Sequence, residues 1–309
     1  CSWFGEGPRC FGSGGSSRTV AAMIVSVGDL ATDLVVRLDS SEIDPVSDTP
    51  AVVSLHRGGA AANVGAVSAH LGRAARFVGA LGADDLSVAA ASALRSLGVE
   101  VCGPPARRGW SIVVLVGPDG GRRFLTDTGD VDPWPAADPA WLDGATRLHL
   151  SGYAVCNERS SAACLELAAL AAEREIPRSL DVGSASVVRG WGVERFAEDV
   201  RSIAPDVVKA NEDEDELLPP GLAAAIVVTR GSEPTVLRTA DGRYETVEVP
   251  PRAVVDTTGA GDAFVAGFLA ARDTGAADVD AVVAGHAAAA RVVTGPGADW
   301  WETGAHVEQ

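Results

Sequence analysis

The sequence has 309 residues, of which 47% are hydrophobic and 22% charged, and its 42 acidic residues outnumber the 25 basic ones to give a formal net charge of −17. A chain of this length can bury the core of one α/β domain, and its negative charge argues against nucleic acid or an anionic membrane as the main partner while leaving room for a small anion in a local cradle. No uninterrupted apolar run reaches the roughly 18 residues of a membrane span, and five scattered cysteines favour a reducing cytoplasm over zinc or a disulfide framework.

Residues 1–22 are rich in Gly and Ser and lack the continuous apolar segment of a signal peptide, so we interpret them as a disordered leader or as an artefact of the assigned start site or of the expressed sequence. From Met23 onward, short β-like runs alternate with helical runs, which predicts a single domain over 23–309. The predicted strands are 23–27, 76–81, 147–150, 206–208 and 225–229, and the predicted helices are 60–71, 84–97, 158–175, 260–272 and 278–293. This order predicts a doubly wound, mostly parallel sheet with helices on both faces, in which ligands bind at the carboxyl ends of the strands.

Two stretches interrupt the alternation. Residues 33–55 and 109–126 both have a β-rich pattern, and the second contains "PDGG", which is typical of a hairpin turn. Extra strands inserted into an α/β order usually form a small sheet at one edge. Such a sheet could be a lid over an active site, a dimer contact, or an added edge with no role.

The first chemically interesting stretches follow the opening strand. "GDLATDLVV" places Asp29 and Asp33 where doubly wound sheets bind ligands, and "RGGAAANVG" opens a helix behind a Gly-Gly turn at Gly59 and carries Asn63. Each has an ordinary structural alternative. The aspartates could form turns, and Asn63 could cap its helix or satisfy a buried carbonyl.

"KANEDE" follows a later strand and contains Lys209, which is the only lysine in the sequence. The acidic run over 212–216 could be no more than a solvated helix start. Lys209 could reach a phosphate, or it could simply be what remains in an arginine-biased composition, and we leave it outside the predicted set of site residues.

"DTTGAGDAF" precedes an amphipathic helix and places Gly259, Ala260 and Gly261 at its N-terminus, with Asp262 in the first turn. Unpaired N–H groups and the helix dipole make such a start an anion cradle, and glycines let the anion approach the backbone. Taken alone, Asp262 could equally be an acidic first-turn residue that needs no ligand.

Together, these stretches lie at one edge of the predicted sheet. An anion cradle with a carboxylate inside it suits phosphoryl transfer to an alcohol, with Asp262 accepting the proton of the attacking hydroxyl. The loop G-x-x-x-x-G-K-[ST] is absent, which excludes a P-loop kinase. A dinucleotide site is disfavoured because "GAGDAF" has Phe264 in place of the third glycine and lies far from the first strand.

The chain resembles the ribokinase-like carbohydrate kinases, or PfkB family, over roughly residues 23–298. "DTTGAGDAF" is close to the family's C-terminal signature, "RGGAAANVG" resembles its N-terminal Gly-Gly signature, and "KANEDE" resembles its N-x-x-E motif. "VTRGSEP" resembles its nucleotide-binding strand and turn. A glycine that the family often has after "GADD" is Ser87 here, and Asp130 lies near a position that commonly carries a small residue and an asparagine, which leaves the sugar undefined.

The resemblance implies an ATP- and Mg²⁺-dependent kinase that phosphorylates a hydroxyl of a sugar or sugar acid. It further implies a β-sheet lid, a homodimer formed through that lid, and a K⁺ ion in some members. The implied roles are Asp262 as base; the amides of Gly259, Ala260 and Gly261 as anion hole; Asn211, Glu214, Thr229 and Gly231 toward ATP, with Glu214 holding Mg²⁺ through water; Asp29, Asp33, Gly59 and Asn63 toward the substrate; and Asp256 and Thr258 toward a monovalent cation.

Two other functions remain open at this point. One is a nucleoside kinase of the same fold, which needs an apolar or aromatic slot for a base. The other is a non-catalytic, sugar-binding regulatory protein, for which a base directed at an anion hole would have no use.

Overall fold

The computed structural model describes residues 22–40 and 42–294, so the predicted leader lies outside the described residues except for Ala22. The strands are β1 (Met23–Val27), β2 (Ala31–Leu38), β3 (Ala51–Gly58), β4 (Ala74–Val78), β5 (Leu81–Gly82), β6 (Glu100–Cys102), β7 (Pro105–Ala106), β8 (Trp110–Val116), β9 (Arg122–Asp127), β10 (Ala145–Ser151), β11 (Arg178–Asp181), β12 (Val207–Asn211), β13 (Ala225–Arg230), β14 (Glu233–Thr239) and β15 (Tyr244–Val247). The helices are α1 (Ala60–His70), α2 (Asp85–Ser96), α3 (Gly152–Val155), α4 (Ser161–Glu173), α5 (Ala185–Trp191), α6 (Val193–Ile203), α7 (Glu212–Asp215), α8 (Ala260–Asp273) and α9 (Asp278–Val293).

The central sheet has nine strands in the order β15-β14-β13-β12-β11-β10-β1-β4-β6. The seven strands from β13 to β6 run parallel, and β14 and β15 add an antiparallel edge. Strands buried on both faces need continuous apolar runs, as in β1, where Ile24, Val25 and Val27 are fully buried. The predicted doubly wound, mostly parallel fold is confirmed.

Helices cover both faces of this sheet and divide the core in two. On one face α4 and α6 bury Leu167, Phe196 and Val200 against the central strands. On the other face α1, α8 and α9 pack together and bury residues such as Phe264 and Val282. The second layer fixes where α8 begins, and therefore where Asp262 lies relative to the strand ends.

A separate four-stranded sheet, which we call the small sheet, has the order β3-β2-β8-β9. Strands β8 and β9 form the predicted hairpin, with their turn between Gly117 and Gly121. The predicted β-rich stretch 33–55 contains two strands, β2 and β3, separated by a segment without strand structure in its described residues. Within the described residues, no helix is long and apolar enough to cross a membrane.

Candidate active site

Asp262 lies in the first turn of α8, one residue after Gly261. The residue before the helix, Gly259, is its N-cap, and its φ of 78° lies in the left-handed region that glycine adopts without strain. The Asp262 carboxylate accepts a 2.7 Å hydrogen bond from Nδ2 of Asn63. Burial raises the pKa of Asp262 to about 7, the bond from Asn63 opposes that rise, and the charge of Asp181 reinforces it. A carboxyl group with this pKa can accept a proton near neutral pH.

Asn63 is held on both sides. Its Oδ1 accepts a 2.8 Å hydrogen bond from the guanidinium of Arg57, which is only 6% exposed, and this bond directs the NH₂ group toward Asp262. The helix that carries Asn63 follows the N-cap residue Gly59, where φ is +101° and an added Cβ would lie 2.4 Å from the carbonyl oxygen of Asp29. Only glycine fits that position, and the close contact between the backbones of Gly59 and Asp29 fixes where α1 begins. The structure therefore places Asn63 against the candidate base.

The two aspartates near the first strand have different surroundings. Asp29 accepts a 2.9 Å hydrogen bond from the N–H of Ala60 and a 3.4 Å bond from the hydroxyl of Ser151, so its carboxylate joins α1 to the end of β10. Burial raises its pKa, and these bonds oppose the rise. Asp33 lies on β2 of the small sheet, with its carboxylate against Gly58. Asp33 lines a cavity together with Asn63.

Two residues outside the predicted set lie at the site. Nζ of Lys209, on β12, is 3.2 and 3.3 Å from the two carboxylate oxygens of Asp181, which ends β11. The same Nζ lies 3.2 Å from where a Cβ on Gly261 would stand, directly beside the start of α8. Burial opposes the charge of Lys209, but Asp181, Glu214 and Asp262 raise its pKa overall, so the ammonium stays protonated.

The signals for these two residues differ. Lys209 stands out as the only lysine in the sequence, but the sequence alone does not distinguish a functional lysine from one that is present by chance. The only sequence signal for Asp181 is an aspartate in "LDVG" at the end of β11, a strand that the apolar pattern did not predict. Their pairing depends on β11 and β12 being neighbours in the sheet.

Asn211 and Glu214 form a reciprocal capping box at the start of α7. The Asn211 side chain accepts from the Glu214 N–H at 2.9 Å, and Glu214 accepts from the Asn211 N–H at 2.8 Å and from its amide at 2.9 Å. Glu214 is 1% exposed, and burial raises its pKa while Lys209 lowers it. The N-x-x-E spacing thus locks a carboxylate next to the Lys209 ammonium.

A cavity of about 630 Å³ opens beside this cluster, and we call it the apolar cavity. The residues that line it include Thr229 and Gly231, and Ala260 and Gly261 at the start of α8. Its walls include Pro250, Val254, Phe264, His286 and Ala289. An elongated ligand with a flat apolar part and an anionic end would fit, with the anion at the helix start.

Asp256 and Thr258, predicted to hold a monovalent cation, both contact Arg122 of β9. The guanidinium lies 2.7 Å from a carboxylate oxygen of Asp256 and donates a hydrogen bond to the hydroxyl of Thr258. Burial alone would raise the pKa of Asp256, but bonds from the Thr258 N–H and from Arg122 lower it overall. The small sheet is thereby tied to the loop that precedes α8.

Two further cavities flank Asn63 and Asp29. The small-sheet cavity lies between the small sheet and the loop before α8, and residues lining it include Asp33, Asn63 and Asp256. The aromatic cavity lies beyond Asp29 and is lined partly by Trp110, Trp134 and Tyr153. Three cavities therefore adjoin the site: the apolar cavity is lined by Ala260 and Gly261 at the helix start, the small-sheet cavity by Asn63, and the aromatic cavity by Asp29.

A mostly parallel sheet with helices on both faces, a separate small sheet and a buried carboxylate at a helix N-terminus define a small-molecule phosphotransferase of the ribokinase-like fold. The chain belongs to the PfkB family of carbohydrate kinases, whose model matches residues 21–302. It is 30% identical over 255 residues, covering 80% of this chain and 83% of the relative, to an ATP-dependent ribose-1-phosphate kinase from Halopiger xanaduensis.

Solved structures share the fold. Adenosine kinase from Sinorhizobium meliloti superposes with a TM-score of 0.76 at 22% identity, covering 91% of this chain and 96% of that one. Ribokinase from Arabidopsis thaliana, complexed with ribose and ATP, superposes with a TM-score of 0.74 at 24% identity, covering 90% and 94%.

Proposed function

We propose that this chain transfers the γ-phosphate of ATP to a hydroxyl of a sugar or sugar acid, with Asp262 as general base and the backbone of 259–261 as anion hole. The observation that carries the proposal is the position of Asp262, a carboxyl with a pKa of about 7, in the first turn of α8, directly after Ala260 and Gly261, which line the apolar cavity. A base is most effective when its pKa lies near the working pH.

The reaction follows from this arrangement. The acceptor hydroxyl gives its proton to Asp262 while its oxygen attacks the γ-phosphorus. The bond from that phosphorus to the oxygen bridging the β-phosphate breaks, and the electron pair leaves with ADP. The N–H groups at the start of α8 stabilise the charge on the moving phosphoryl group, and Asp262 later returns its proton to water.

Lys209 supports the same step. Its ammonium stands beside Gly261, and Asp181 holds it there through two hydrogen bonds, so a positive charge lies under the anion hole before ATP arrives. A charge fixed in advance stabilises the transferring group without reorganisation. We therefore assign Lys209 to charge stabilisation and Asp181 to positioning it.

The residues fit ATP and Mg²⁺. Thr229 and Gly231 line the apolar cavity together with the helix start, and the cavity's apolar walls suit an adenine ring. Asn211 and Glu214 offer oxygen ligands, which Mg²⁺ prefers, through water next to the phosphate end. Bound Mg²⁺ would supply charge neutralisation on the ATP phosphates.

A nucleoside kinase is the second candidate, and one observation favours it. The aromatic cavity presents Trp110, Trp134 and Tyr153 beside Asp29, which would suit a nucleobase. The adenosine kinase from Sinorhizobium meliloti has the same fold, which supports a nucleoside as the acceptor. Activity on adenosine, rather than on a sugar or sugar acid, would select this candidate.

Three further expectations belong to the proposal. The outer face of the small sheet leaves Val53, Leu55 and Leu125 more than half exposed, which supports a lid that also forms a homodimer. Arg122 already places a positive charge at Asp256, so we expect K⁺ to have little effect on activity. Free thiols at Cys156 and Cys164 support a reducing cytoplasm.

An ADP-release assay with ATP and Mg²⁺ tests the function. The acceptor panel comprises ribose, fructose, 2-keto-3-deoxygluconate, sugar phosphates, adenosine and pseudouridine. We expect one acceptor class to stimulate ADP release, Asp262→Asn to abolish it, and Asp280→Asn, an exposed aspartate in the first turn of α9, to leave it unchanged. Silence across the panel with ATP still bound would favour a non-catalytic binder.

A further inference from the structure

The small-sheet cavity has an apolar floor, because alternate residues of a strand point to the same face. Val35 of β2 and Val114 and Val116 of β8 line it, and Phe124 of β9 lies at its side. Two of these, Val114 and Val116, are buried. Charges that face such a floor interact more strongly than charges in water.

Basic groups dominate the rim. Arg37, Arg57, Arg122 and His56 line the cavity, against the two carboxylates of Asp33 and Asp256. The chain as a whole has the opposite balance, with 42 acidic and 25 basic residues. A local excess of arginine in an acidic protein is not what composition alone would produce.

The strand register brings two of these arginines into one row. Arg37 pairs with Val116, and Val116 pairs with Arg122, so both guanidiniums leave the same face of the sheet two strand spacings apart, or roughly 10 Å between backbones. Their like charges repel each other over the apolar floor, and the ion pair between Arg122 and Asp256 offsets part of that repulsion. An anion between them would turn that repulsion into two charge-assisted hydrogen-bonding interactions.

The third arginine connects this row to the chemistry. Arg57 is buried and donates to Asn63, whose amide contacts the Asp262 carboxylate. The inner end of the cavity is therefore one side chain from the candidate base. Arg122 contacts Asp256 and Thr258 in the loop before α8, and Arg37 is an exposed residue of β2, two strands away from Arg122. A molecule with its reactive hydroxyl at Asp262 would direct its other end toward this row.

We propose that the small-sheet cavity binds an anionic group, a phosphate or a carboxylate, that the acceptor carries at the end away from the phosphorylated hydroxyl. This inference rests on the proposed function and narrows its substrate class to anionic sugars. Arg37 and Arg122 recognise the anion, since a planar guanidinium matches the oxygens of either group. Arg57 closes the inner end and holds Asn63.

Calorimetric binding without ATP tests the inference. The probes are ribose 1-phosphate, 2-keto-3-deoxygluconate, ribose and adenosine, which separate a phosphate, a carboxylate and two neutral acceptors. The variants are Arg37→Gln and Arg122→Gln. Arg123→Gln is the matched control, because Arg123 is the neighbour of Arg122 on β9 and points to the opposite, exposed face.

We expect one anionic probe to bind wild-type protein at least about tenfold more tightly than either neutral probe, since hydrogen bonds to charged groups are the stronger ones. Each cavity substitution should remove about tenfold of that preference, and Arg123→Gln should retain it. Tightest binding of a neutral probe, equal loss for neutral and anionic probes, or binding of none of the four would each overturn the inference.

The ADP-release assay separates this inference from the proposed function. Selective binding of an anionic probe, without ADP release from any acceptor, would refute the kinase proposal and support the anion site. ADP release from neutral acceptors alone would support the kinase proposal and refute the anion site.

Discussion

Replacing the candidate base should stabilise the fold, and increasingly so as the pH rises. A carboxyl that titrates at 3.8 when unfolded and at about 7 when folded binds more protons in the native state between these values, so its contribution to stability is lost as the pH rises through that range. With those two pKa values, linkage gives a penalty of about 2 kcal/mol near pH 5.5 and about 4 kcal/mol near pH 8.5. Asp262→Asn has no charge to bury and keeps an oxygen for the Asn63 amide.

Urea denaturation of wild type and Asp262→Asn at these two pH values measures the effect. Other titrating groups cancel in the difference between the two proteins, so the stability advantage of the variant should grow by about 2 kcal/mol from the lower pH to the higher. Asp280→Asn, on the exposed side of α9, should show no such growth. An advantage for Asp262→Asn that is the same at both pH values would show that the carboxyl is not held near pKa 7, and would remove the main support for its role as base.

The other predictions concern turnover, backbone geometry and assembly. Asp262→Asn should bind ATP nearly normally but lower kcat by about a hundredfold or more in the ADP-release assay. Lys209→Met should lower kcat by about tenfold or more. It should also shift the acidic limb of the kcat profile to higher pH, because the Lys209 ammonium lowers the pKa of Asp262. Lys209→Arg, which keeps a positive charge, should shift that limb part of the way back. Gly59→Ala should lower the unfolding free energy by about 1–3 kcal/mol or more, whereas Gly72→Ala, with nothing within 4 Å of the added Cβ, should cost less. Leu125→Glu should convert a dimer to a monomer in analytical ultracentrifugation, and a wild-type monomer would refute the lid interface.

Local signals in the sequence were sufficient for the fold class and for the start of α8. The Gly-Ala-Gly turn before an amphipathic run predicted a helix from 260, and the helix begins at Ala260. The alternation of apolar runs predicted the parallel sheet, although β11 and the helix pair α5 and α6 were not predicted. α6 buries Phe196 and Val200 along one face. Charged residues separate these apolar positions in the sequence, so the helical periodicity was not recognised.

The partners of the site residues could not be predicted in the same way. Lys209 meets Asp181 only because β11 and β12 are neighbours, and Arg122 meets Asp256 only because the small sheet docks on the loop before α8. Asn63 was expected at the substrate, and its contact with Asp262 joins residues far apart in sequence. Such contacts depend on strand order and docking, on which the local pattern carries no information.

The single lysine of the chain has a practical consequence. Because Lys209 is the only side-chain amine and its ammonium lies beside Gly261, which lines the apolar cavity, a nucleotide analogue carrying an amine-reactive phosphate would have one side-chain target in the sequence. The fraction of chains whose mass increases by one label would then equal the fraction of chains with an intact binding pocket. Because the sequence has one lysine, labelling at Lys209 would measure the fraction of chains that can bind the nucleotide analogue.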